Sequence, residues 1–257
     1  MSTSPAKFVW YELMTSDAPA AEIFYRNVVG WQMQDAGMPD RHYTILSAGN
    51  TAIGGLMALP AEAATAGARP GWIGYVGVAD VDASAARVQQ ADGKLHRPAE
   101  DIPGVGRFAV VADPQGAAFV LFKGNSDAQP AQPEPGAPGQ VGWRELHARD
   151  HKSALAFYGA MFGWTADEAV DMGPMGTYQL FAAGDTAIGG MMNKMAEVPV
   201  PFWLYYFNVD DIDAAAARVA AQGGQVLNGP HQVPGGSWIL NATDPQGAMF
   251  ALVGPKR

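Results

Sequence analysis

The chain has 257 residues, which suits one large domain or two ordinary ones, and its composition is that of an ordinary globular protein. Its net charge of −9 and 16 scattered Lys and Arg residues leave no basic patch for nucleic acid, and the absence of Cys excludes disulfides, thiolate metal sites and a Cys nucleophile. MSTSPAKFVW has no signal-peptide core and no stretch approaches about 18 apolar residues, so we expect a cytoplasmic protein with no membrane partner.

Strand and helix signals alternate along the first half of the chain. FVWYELM has strand composition, and PAAEIFYRNVVG carries apolar residues at helical spacing after the turn SDA. HYTILSAG and TAIGGLMAL follow as two strands joined by a turn, and GWIGYVGV reads as another strand. DVDASAARVQQADGK then predicts a helix with Asp at its start, before the strands RFAVVAD and AAFVLFKG.

The stretch at 124–140, GNSDAQPAQPEPGAPGQ, has no apolar anchor and predicts an extended, exposed linker. The same pattern of residues occurs on both sides of it. The matching pairs are Trp10 and Trp143, Glu12 and Glu145, Phe24-Tyr25 and Phe157-Tyr158, TAIGG at 51–55 and 186–190, Trp72 and Trp203, and DPQGA at 113–117 and 244–248. We therefore predict a duplicated domain, with copies at 1–123 and 141–257.

Each copy contains the order β-α-β-β-β twice, so the chain contains this unit four times. The pattern predicts an α+β fold in which helices cover one sheet face and leave the other face free. A free concave face either meets another sheet or holds a ligand.

Paired βαβββ units, a helix ending F-Y-x-x-x-x-G-W, a V-x-D-V/I-D helix entry and a DPQG turn before the last strand resemble the vicinal oxygen chelate superfamily. That superfamily contains glyoxalase I, bleomycin-resistance proteins and extradiol dioxygenases. The resemblance covers nearly the whole chain apart from the linker, and the repeated W-x-E-L is most similar to two-domain glyoxalase-like proteins of actinobacteria, among them mycobacterial culture-filtrate antigens. It implies a cupped mixed sheet in each domain, around a cavity where metal-dependent members hold a divalent ion as a Lewis acid.

The resemblance also indicates which positions would supply the metal ligands, namely His, Gln or Glu in the metal-dependent members. The residues at these positions here are Trp10, Ile73 and Val120 in the first copy and Trp143, Leu204 and Ala251 in the second, and the remaining position falls in IGGLM or IGGMM. None of them offers a donor for a hard divalent cation. We therefore expect no metal and no other cofactor.

Strand side chains alternate between faces, which predicts the residues that line each cup. The candidates for ligand binding are Trp10, Met14, Tyr75 and Val120 in the first cup, and Trp143, His147, Tyr206 and Ala251 in the second. With Glu12 and Glu145, each cup becomes an apolar, aromatic cavity with one acid and one phenol. Such a composition is typical of a small-molecule pocket.

Glu12 and Glu145 are the candidate catalytic residues. Burial among Trp, Met and Ile favours the neutral acid, a property that a general acid or base needs. The alternative is a structural Glu that a Tyr hydroxyl or a backbone amide satisfies, since duplication alone would preserve both residues.

The remaining aromatic, His and Gly residues are expected to have the following positions. Trp10 and Trp143 either stack on a planar ligand or fill the former metal space, and Tyr75 and Tyr206 either donate to a ligand oxygen or pack. Trp31 and Trp164 are expected in the core, and Trp72 and Trp203 at a cavity mouth or a domain contact. His42, His96, His151 and His231 are expected to be exposed, DPQG to be a structural turn, and the paired glycines at 54–55 and 189–190 to bend a strand or form a bulge.

Two classes of function follow. The first is a metal-independent lyase or isomerase for a small carbonyl compound, in which Glu12 or Glu145 moves the proton and Tyr75 or Tyr206 supports an oxyanion. The second is a protein of the bleomycin-resistance type that sequesters an aromatic or cationic molecule without chemistry. Since one chain can complete both cups, it is expected to be a monomer or a homodimer.

Overall fold

The computed structural model describes residues 4–38, 41–125, 134 and 136–257, and these ranges contain sixteen strands and five α-helices. The elements of the first repeat are β1 Phe8–Thr15, α1 Ala18–Val28, β2 Gln32–Asp35, β3 Tyr43–Ala48, β4 Thr51–Ala58, α2 Ala61–Thr65, β5 Gly71–Gly77, α3 Val81–Gln90, β6 Lys94–Ile102, β7 Gly106–Ala112 and β8 Ala118–Gly124. Those of the second repeat are β9 Val141–Ala148, α4 His151–Phe162, β10 Thr165–Asp171, β11 Thr177–Ala183, β12 Thr186–Asn193, β13 Phe202–Asn208, α5 Ile212–Ala221, β14 Gln225–Gln232, β15 Trp238–Thr243 and β16 Met249–Gly254. The predicted α+β fold with four βαβββ units is confirmed.

The strands of each repeat belong to one eight-stranded mixed sheet. Within the first repeat the four-strand orders are β2-β3-β4-β1 and β5-β8-β7-β6, and the second repeat has the corresponding orders β10-β11-β12-β9 and β13-β16-β15-β14. The pairs β1/β4, β5/β8, β9/β12 and β13/β16 are parallel, and the other pairs in these orders are antiparallel.

Four strands had no clear sequence signal, namely β2, β6, β10 and β14. All four lie at sheet edges, and most of their residues are exposed. An edge strand that faces solvent has no reason to alternate apolar and polar residues, so its pattern resembles that of a loop.

Aspartate starts four helices, as the sequence predicts for α3. Asp17, Asp80, Asp150 and Asp211 each accept a hydrogen bond from a backbone N–H in the first turn of α1, α3, α4 and α5, respectively. Each carboxylate satisfies an N–H group that the helix itself leaves unpaired.

By packing, the described chain forms two compact units, and neither coincides with one repeat. The α1/α5 unit takes its described residues from Trp10–Trp72, Pro130–Gly142 and Leu204–Arg257. The α3/α4 unit takes them from Met1–Val9, Ile73–Gln129 and Trp143–Trp203. Each unit therefore combines one βαβββ set from each repeat. The limits 1–123 and 141–257 describe the repeats, and as domain limits they stay a prediction.

A Trp–Tyr–Asp hydrogen-bond chain, in which the Tyr and the Asp are buried, joins the two repeats inside the α1/α5 unit. The Trp72 indole N–H donates to the Tyr25 hydroxyl at 2.9 Å, and this hydroxyl donates to Oδ2 of Asp244 at 3.1 Å. The other carboxylate oxygen of Asp244 accepts from the backbone N–H groups of Gln246 and Ala248, which closes the DPQG turn. The F-Y, Trp and DPQG motifs are thus parts of one core, and the prediction that DPQG is a structural turn is confirmed.

The α3/α4 unit contains the same Trp–Tyr–Asp hydrogen-bond chain. Here the second repeat supplies the Trp and the Tyr, and the first repeat supplies the Asp. Trp203 donates to the Tyr158 hydroxyl at 3.0 Å, and Tyr158 donates to Oδ2 of Asp113 at 3.1 Å. The indole N–H groups of Trp72 and Trp203 are therefore engaged by the core of their own units. Trp203 is buried, so the cavity mouth, one of its two expected places, is wrong. Its ring lies 5.4 Å from that of Phe8 in the first repeat, which agrees with the other expected place, a contact between the repeats. Trp31 and Trp164 are buried, as predicted.

The end of the predicted linker is packed rather than exposed. Gly139 is buried, its carbonyl accepts the Trp31 indole N–H at 2.7 Å, and its N–H donates to the carbonyl of Asn208 at 2.8 Å. The expectation of exposure is wrong here, because Trp31 and Asn208 supply partners that the sequence of the segment does not reveal. Residues 126–133 and 135 of the linker lie outside the described residues.

In the ranges that the structure describes, no helix combines the length and the apolar character needed to cross a membrane.

Candidate functional site

In the first repeat, Trp10 and Glu12 share a face of β1 and are bridged by a tyrosine of β3. The Trp10 indole N–H donates to the Tyr43 hydroxyl at 3.0 Å, and Tyr43 donates to Oε2 of Glu12 at 3.0 Å. Glu12 is 8% exposed, whereas Trp10 and Tyr43 are half-buried. We call these three residues the first Trp–Tyr–Glu chain.

The second repeat contains the same arrangement. The indole N–H of Trp143 on β9 donates to the Tyr178 hydroxyl at 2.7 Å, and Tyr178 on β11 donates to Oε2 of Glu145 at 2.8 Å. Glu145 is 7% exposed. This second Trp–Tyr–Glu chain lies within the α3/α4 unit, whereas the first lies within the α1/α5 unit.

The glycines of TAIGG make room for the tyrosine. Gly55 is the Cα partner of Glu12 in the β1/β4 ladder, and a Cβ at Gly55 would overlap the ring and hydroxyl of Tyr43. Gly190 has the same relation to Glu145 and Tyr178. The expected irregularity is also present, because the β3/β4 register shifts next to the glycine pair. These glycines also have a second role, which the sequence did not reveal: the tyrosine side chain occupies the space that a Cβ would need.

The environment of both tyrosines keeps their hydroxyl groups protonated. Burial raises the pKa of Tyr43 far above its ordinary value, and the negative charge of Glu12 raises it further. Burial and then the charge of Glu145 act in the same direction on the pKa of Tyr178. Each tyrosine is therefore a hydrogen-bond donor, and the glutamate of its repeat is the acceptor.

A spectrophotometric titration checks this protonation. Of the eight tyrosines, Tyr25, Tyr43 and Tyr178 should stay protonated in the folded protein at about pH 11, because burial raises the pKa of each. The folded state then keeps protons that the unfolded state releases, so the free energy of unfolding should fall as the pH rises above about 10. Tyr43→Phe and Tyr178→Phe should leave the phenolate absorbance of the folded protein unchanged. A loss of absorbance in either variant would contradict the buried donor.

His147 separates the second repeat from the first. Its Nε2 lies 2.7 Å from Oε1 of Glu145, and its ring stacks on Phe202 with a centroid distance of 4.6 Å and an interplanar angle of 2°. Although this distance is short, Nε2 is buried and has no hydrogen bond of acceptable geometry, so we treat the pair as an electrostatic contact. In the first repeat Met14 follows Glu12 at the same spacing and is half-buried.

The other candidate residues lie on the neighbouring parallel strands. Tyr75 of β5 is the Cα partner of Val120 of β8, and Tyr206 of β13 is the partner of Ala251 of β16. All four are buried, and the Tyr75 ring packs edge-on against Phe122 at 5.9 Å. This contact agrees with packing, one of the two roles expected for Tyr75. The ligand-binding roles of these residues stay predictions.

Sequence reasoning missed Tyr43, Tyr178 and Phe202. A signal for the tyrosines was present, because Tyr43 and Tyr178 precede TAIGG by the same eight residues in the two repeats. Phe202 had no such signal, because Gly71 stands before the matching tryptophan of the first repeat.

The remaining histidines follow the expectation with one exception. His42, His96 and His231 are exposed, as predicted. His151 is 7% exposed, and its Nδ1 lies 3.0 Å from Oδ1 of Asn193, so its expected exposure is wrong. It is the first residue of α4, where it packs against the end of β12 instead of facing solvent.

The donor set does not fit the divalent ion of metal-dependent members of the family. Across the described ranges, no three His, Cys, Asp or Glu side chains are grouped in a way that could hold a metal ion. Glu145 and His147 supply two donors, and the family's ligand positions nearby carry Trp143 and aliphatic residues. A divalent site needs at least three protein ligands as a rule, so no step of the chemistry below uses a metal.

Comparison with known proteins agrees with the fold and with the repeat. The family model described as the Glyoxalase/Bleomycin resistance protein/Dioxygenase superfamily matches residues 7–121 and again 140–252. The chain is 34% identical over 252 residues to CFP32 of Mycobacterium tuberculosis, whose name proposes that it is a glyoxylase, and the match covers 96% of this chain and 94% of that protein. It is 32% identical over 265 residues to the anthracycline biosynthesis protein DnrV of Streptomyces peucetius, with 97% of this chain and 94% of that protein covered.

Solved structures show the same fold at low sequence identity. A Mn(II)-bound glyoxalase from Novosphingobium aromaticivorans matches with a TM-score of 0.64 and 17% identity, over 99% of this chain and 83% of that chain. The 2,3-dioxygenase LapB from Pseudomonas sp. KL28 matches with a TM-score of 0.66 and 14% identity, over 99% and 94% of the two chains. Because the family model covers both repeats and full-length relatives exceed 30% identity, the chain belongs to the glyoxalase/bleomycin resistance protein/dioxygenase superfamily.

Proposed function

We propose that each repeat binds a small organic molecule beside its Trp–Tyr–Glu chain. The observation that carries this proposal is the hydrogen bond from the tyrosine hydroxyl to the glutamate, at 3.0 Å in the first repeat and 2.8 Å in the second. It fixes the position of the carboxylate next to a half-buried indole. A ligand with an aromatic body and a cationic or hydrogen-bond-donating group fits both features.

The relatives support an aromatic ligand. DnrV and the similar DauV of Streptomyces sp. strain C5 are named for anthracycline biosynthesis, and an anthracycline is a polycyclic aromatic compound. A planar ring system could stack on Trp10 or Trp143, whose N–H groups already have partners and whose side chains are half-buried.

The test uses two probes that differ in charge, namely an anthracycline with an amino sugar and its amine-free aglycone. Glu12→Gln with Glu145→Gln keeps the side-chain shapes and removes both charges, so we expect the amine-bearing probe to bind about tenfold more weakly, which equals about 1.4 kcal/mol. The affinity for the aglycone should change much less. Isothermal titration calorimetry measures both affinities.

Glu62→Gln serves as the control, because Glu62 is exposed on α2. The proposal fails if the double variant binds the amine-bearing probe as tightly as the unchanged protein does. It also fails if neither probe binds.

A second candidate function is a metal-independent isomerase or lyase for a small carbonyl compound. The observation that favours it is the contact of His147 with Glu145, which gives the second repeat two adjacent groups able to exchange protons. A protein that only sequesters its ligand would return it chemically unchanged. Recovering the ligand after incubation separates the two functions.

For the cellular setting, we keep the expectation of a cytoplasmic monomer or homodimer that binds no nucleic acid. The absence of Cys and the net charge of −9 support it. Both compact units are complete within one chain, which favours the monomer.

A further inference from the structure

Three Cα partners on neighbouring strands form a row in each repeat. In the second repeat the row on β13, β16 and β15 consists of Tyr206, Ala251 and Asn241. In the first repeat the row on β5, β8 and β7 consists of Tyr75, Val120 and Val110. Direct cross-strand partners point to the same face of a sheet. The two rows therefore share their tyrosine, and the second has an amide and a smaller side chain where the first has two valines.

The row with Asn241 lies on the same face as the first Trp–Tyr–Glu chain. In the α1/α5 unit, the Tyr11 ring contacts the Tyr205 ring edge-on at 5.2 Å. Glu12 follows Tyr11 in β1, and the next residue after Tyr205 in β13 is Tyr206. Because successive side chains of a strand point to opposite faces, Glu12 and Tyr206 both point away from this contact. Asn241 therefore belongs to the face on which we place the ligand of the first Trp–Tyr–Glu chain.

The fold leaves the Asn241 amide without a partner for its oxygen. The Oδ1 atom is buried, and the described part of the chain supplies no hydrogen bond to it. The residue as a whole is half-buried, so part of it stays accessible. A half-turn about the terminal bond exchanges the amide oxygen and nitrogen, so the amide can offer a ligand either an acceptor or a donor. Since the great majority of buried polar groups in folded proteins have a partner, an oxygen without one indicates a role other than stabilising the fold.

The matching position of the α3/α4 unit has the same burial and the opposite polarity. Val110 is half-buried, like Asn241, but has no hydrogen-bonding group. The neighbour of Asn241 on β16, Ala251, lacks the two methyl groups that Val120 has on β8, which leaves room beside the amide. The two units thus present different surfaces to a ligand, an amide beside an alanine in one and two valines in the other.

We propose that Asn241 selects the ligand of the α1/α5 unit, which takes an aromatic compound with a second hydroxyl group in addition to the polar group that meets Glu12. The α3/α4 unit, with Val110, takes a compound with an apolar group at this place. This inference rests on the proposed function, because each ligand has to bind beside a Trp–Tyr–Glu chain. One chain then has two sites of different specificity.

The experiment compares 2,6-dihydroxynaphthalene with 6-methyl-2-naphthol. Both probes have one hydroxyl group for the glutamate, and they differ in whether the second substituent is a hydroxyl or a methyl group of similar size. Isothermal titration calorimetry gives the number of sites and their affinities. In the unchanged protein, we expect one site per chain to bind the diol at least about tenfold more tightly than the other site does.

Exchanging residues between the repeats should move this preference. Asn241→Val installs the residue of the first repeat and should weaken the tight site for the diol about tenfold, with the affinity for the methyl compound within about twofold of its original value. Val110→Asn with Val120→Ala should create a second tight site for the diol. Asn50→Val is the control, because Asn50 is exposed in the turn between β3 and β4, and it should leave both affinities unchanged.

The melting temperature separates ligand selection from a structural role of Asn241. Asn241→Val removes a buried oxygen that has no partner, so the ligand-free variant should melt about 2–4 °C higher than the unchanged protein. A lower melting temperature with equal weakening of both probes would assign Asn241 a structural role and overturn the inference. An unchanged preference for the diol in Asn241→Val, with both probes binding, overturns it while leaving the proposed function intact. If neither probe binds to the unchanged protein, the proposed function fails together with this inference.

Discussion

A chain cut between its two repeats is expected to remain one folded particle, whereas neither repeat alone is expected to fold as a monomer. The reason is that each compact unit contains one βαβββ set from each repeat. The polypeptide link between the repeats is therefore not what holds a unit together. The contacts inside each unit do that.

The contacts of the α1/α5 unit show how much an isolated first repeat would lose. Trp31 would lose Phe207, whose ring lies 4.8 Å away, and Phe24 would lose Phe250 at 5.8 Å. All four side chains are almost completely buried, and each large apolar side chain contributes about 1.5–3 kcal/mol when buried. In the isolated first repeat, exposure of Phe24 and Trp31 alone would cost about 3–6 kcal/mol, which is a large part of the 5–15 kcal/mol by which folded proteins are usually stable.

The measurement uses a protease site inserted between residues 125 and 134, in the stretch SDAQPAQP. After cleavage, size-exclusion chromatography with light scattering should give one particle with the mass of the uncut chain, and its melting temperature should stay within a few degrees. The uncut chain with the same insertion is the control. Two separate folded fragments after cleavage would contradict the mixed units. The repeats expressed separately should regain a melting transition only when they are combined.

The sequence predicted the fold well because its signals are local or repeated. The period of two along β1 put Trp10 and Glu12 on one face, and the hydrogen bonds through Tyr43 confirm that they share it. The same pattern occurs in the second repeat, so each secondary-structure signal was present twice in the sequence. Edge strands such as β6 were missed because their residues face solvent and carry no alternation.

Local sequence patterns could not predict that each compact unit combines elements of both repeats. Tyr25 and Asp244 are 219 residues apart, and nothing in the sequence states whether Tyr25 pairs with the DPQG of its own repeat or of the other. Both repeats have the same motifs, so both pairings satisfy the same chemistry. For the site, Phe202 lay outside prediction for a related reason, since only the packing of β13 brings it to His147.

The largest effect of a single substitution is expected at the ends of the Trp–Tyr–Asp chains, where Asp244→Ala should lower the free energy of unfolding by about 3 kcal/mol. The substitution leaves the Tyr25 hydroxyl without its acceptor in the fully buried core, and it also removes the acceptor of the Gln246 and Ala248 N–H groups. Burial raises the pKa of Asp244, which shows that the carboxyl is desolvated and has little access to water as a substitute partner.

Asp113→Ala is the matched variant in the α3/α4 unit and should have a similar effect, because Asp113 accepts the Tyr158 hydroxyl and closes the other DPQG turn. Asp210→Ala is the control. The Asp210 side chain is 62% exposed, and its contacts are a 3.5 Å contact with Arg218 and a local hydrogen bond from the N–H of the next residue, so the change should be below about 0.5 kcal/mol. Urea unfolding measures all three free energies.

A double-mutant cycle separates the hydrogen bond from the turn. Tyr25→Phe removes the buried hydroxyl, so Asp244→Ala should cost about 1–2 kcal/mol less in that background than in the unchanged protein. If Asp244→Ala lowers the free energy of unfolding equally in the two backgrounds, Tyr25 and Asp244 are not coupled. That result would contradict the Trp–Tyr–Asp hydrogen-bond chain. A coupling of the expected size would explain why F-Y and DPQG recur in both repeats without any part in chemistry. Each tyrosine holds the DPQG turn of the other repeat. Loss of either motif from one repeat would therefore weaken a compact unit that contains parts of both repeats.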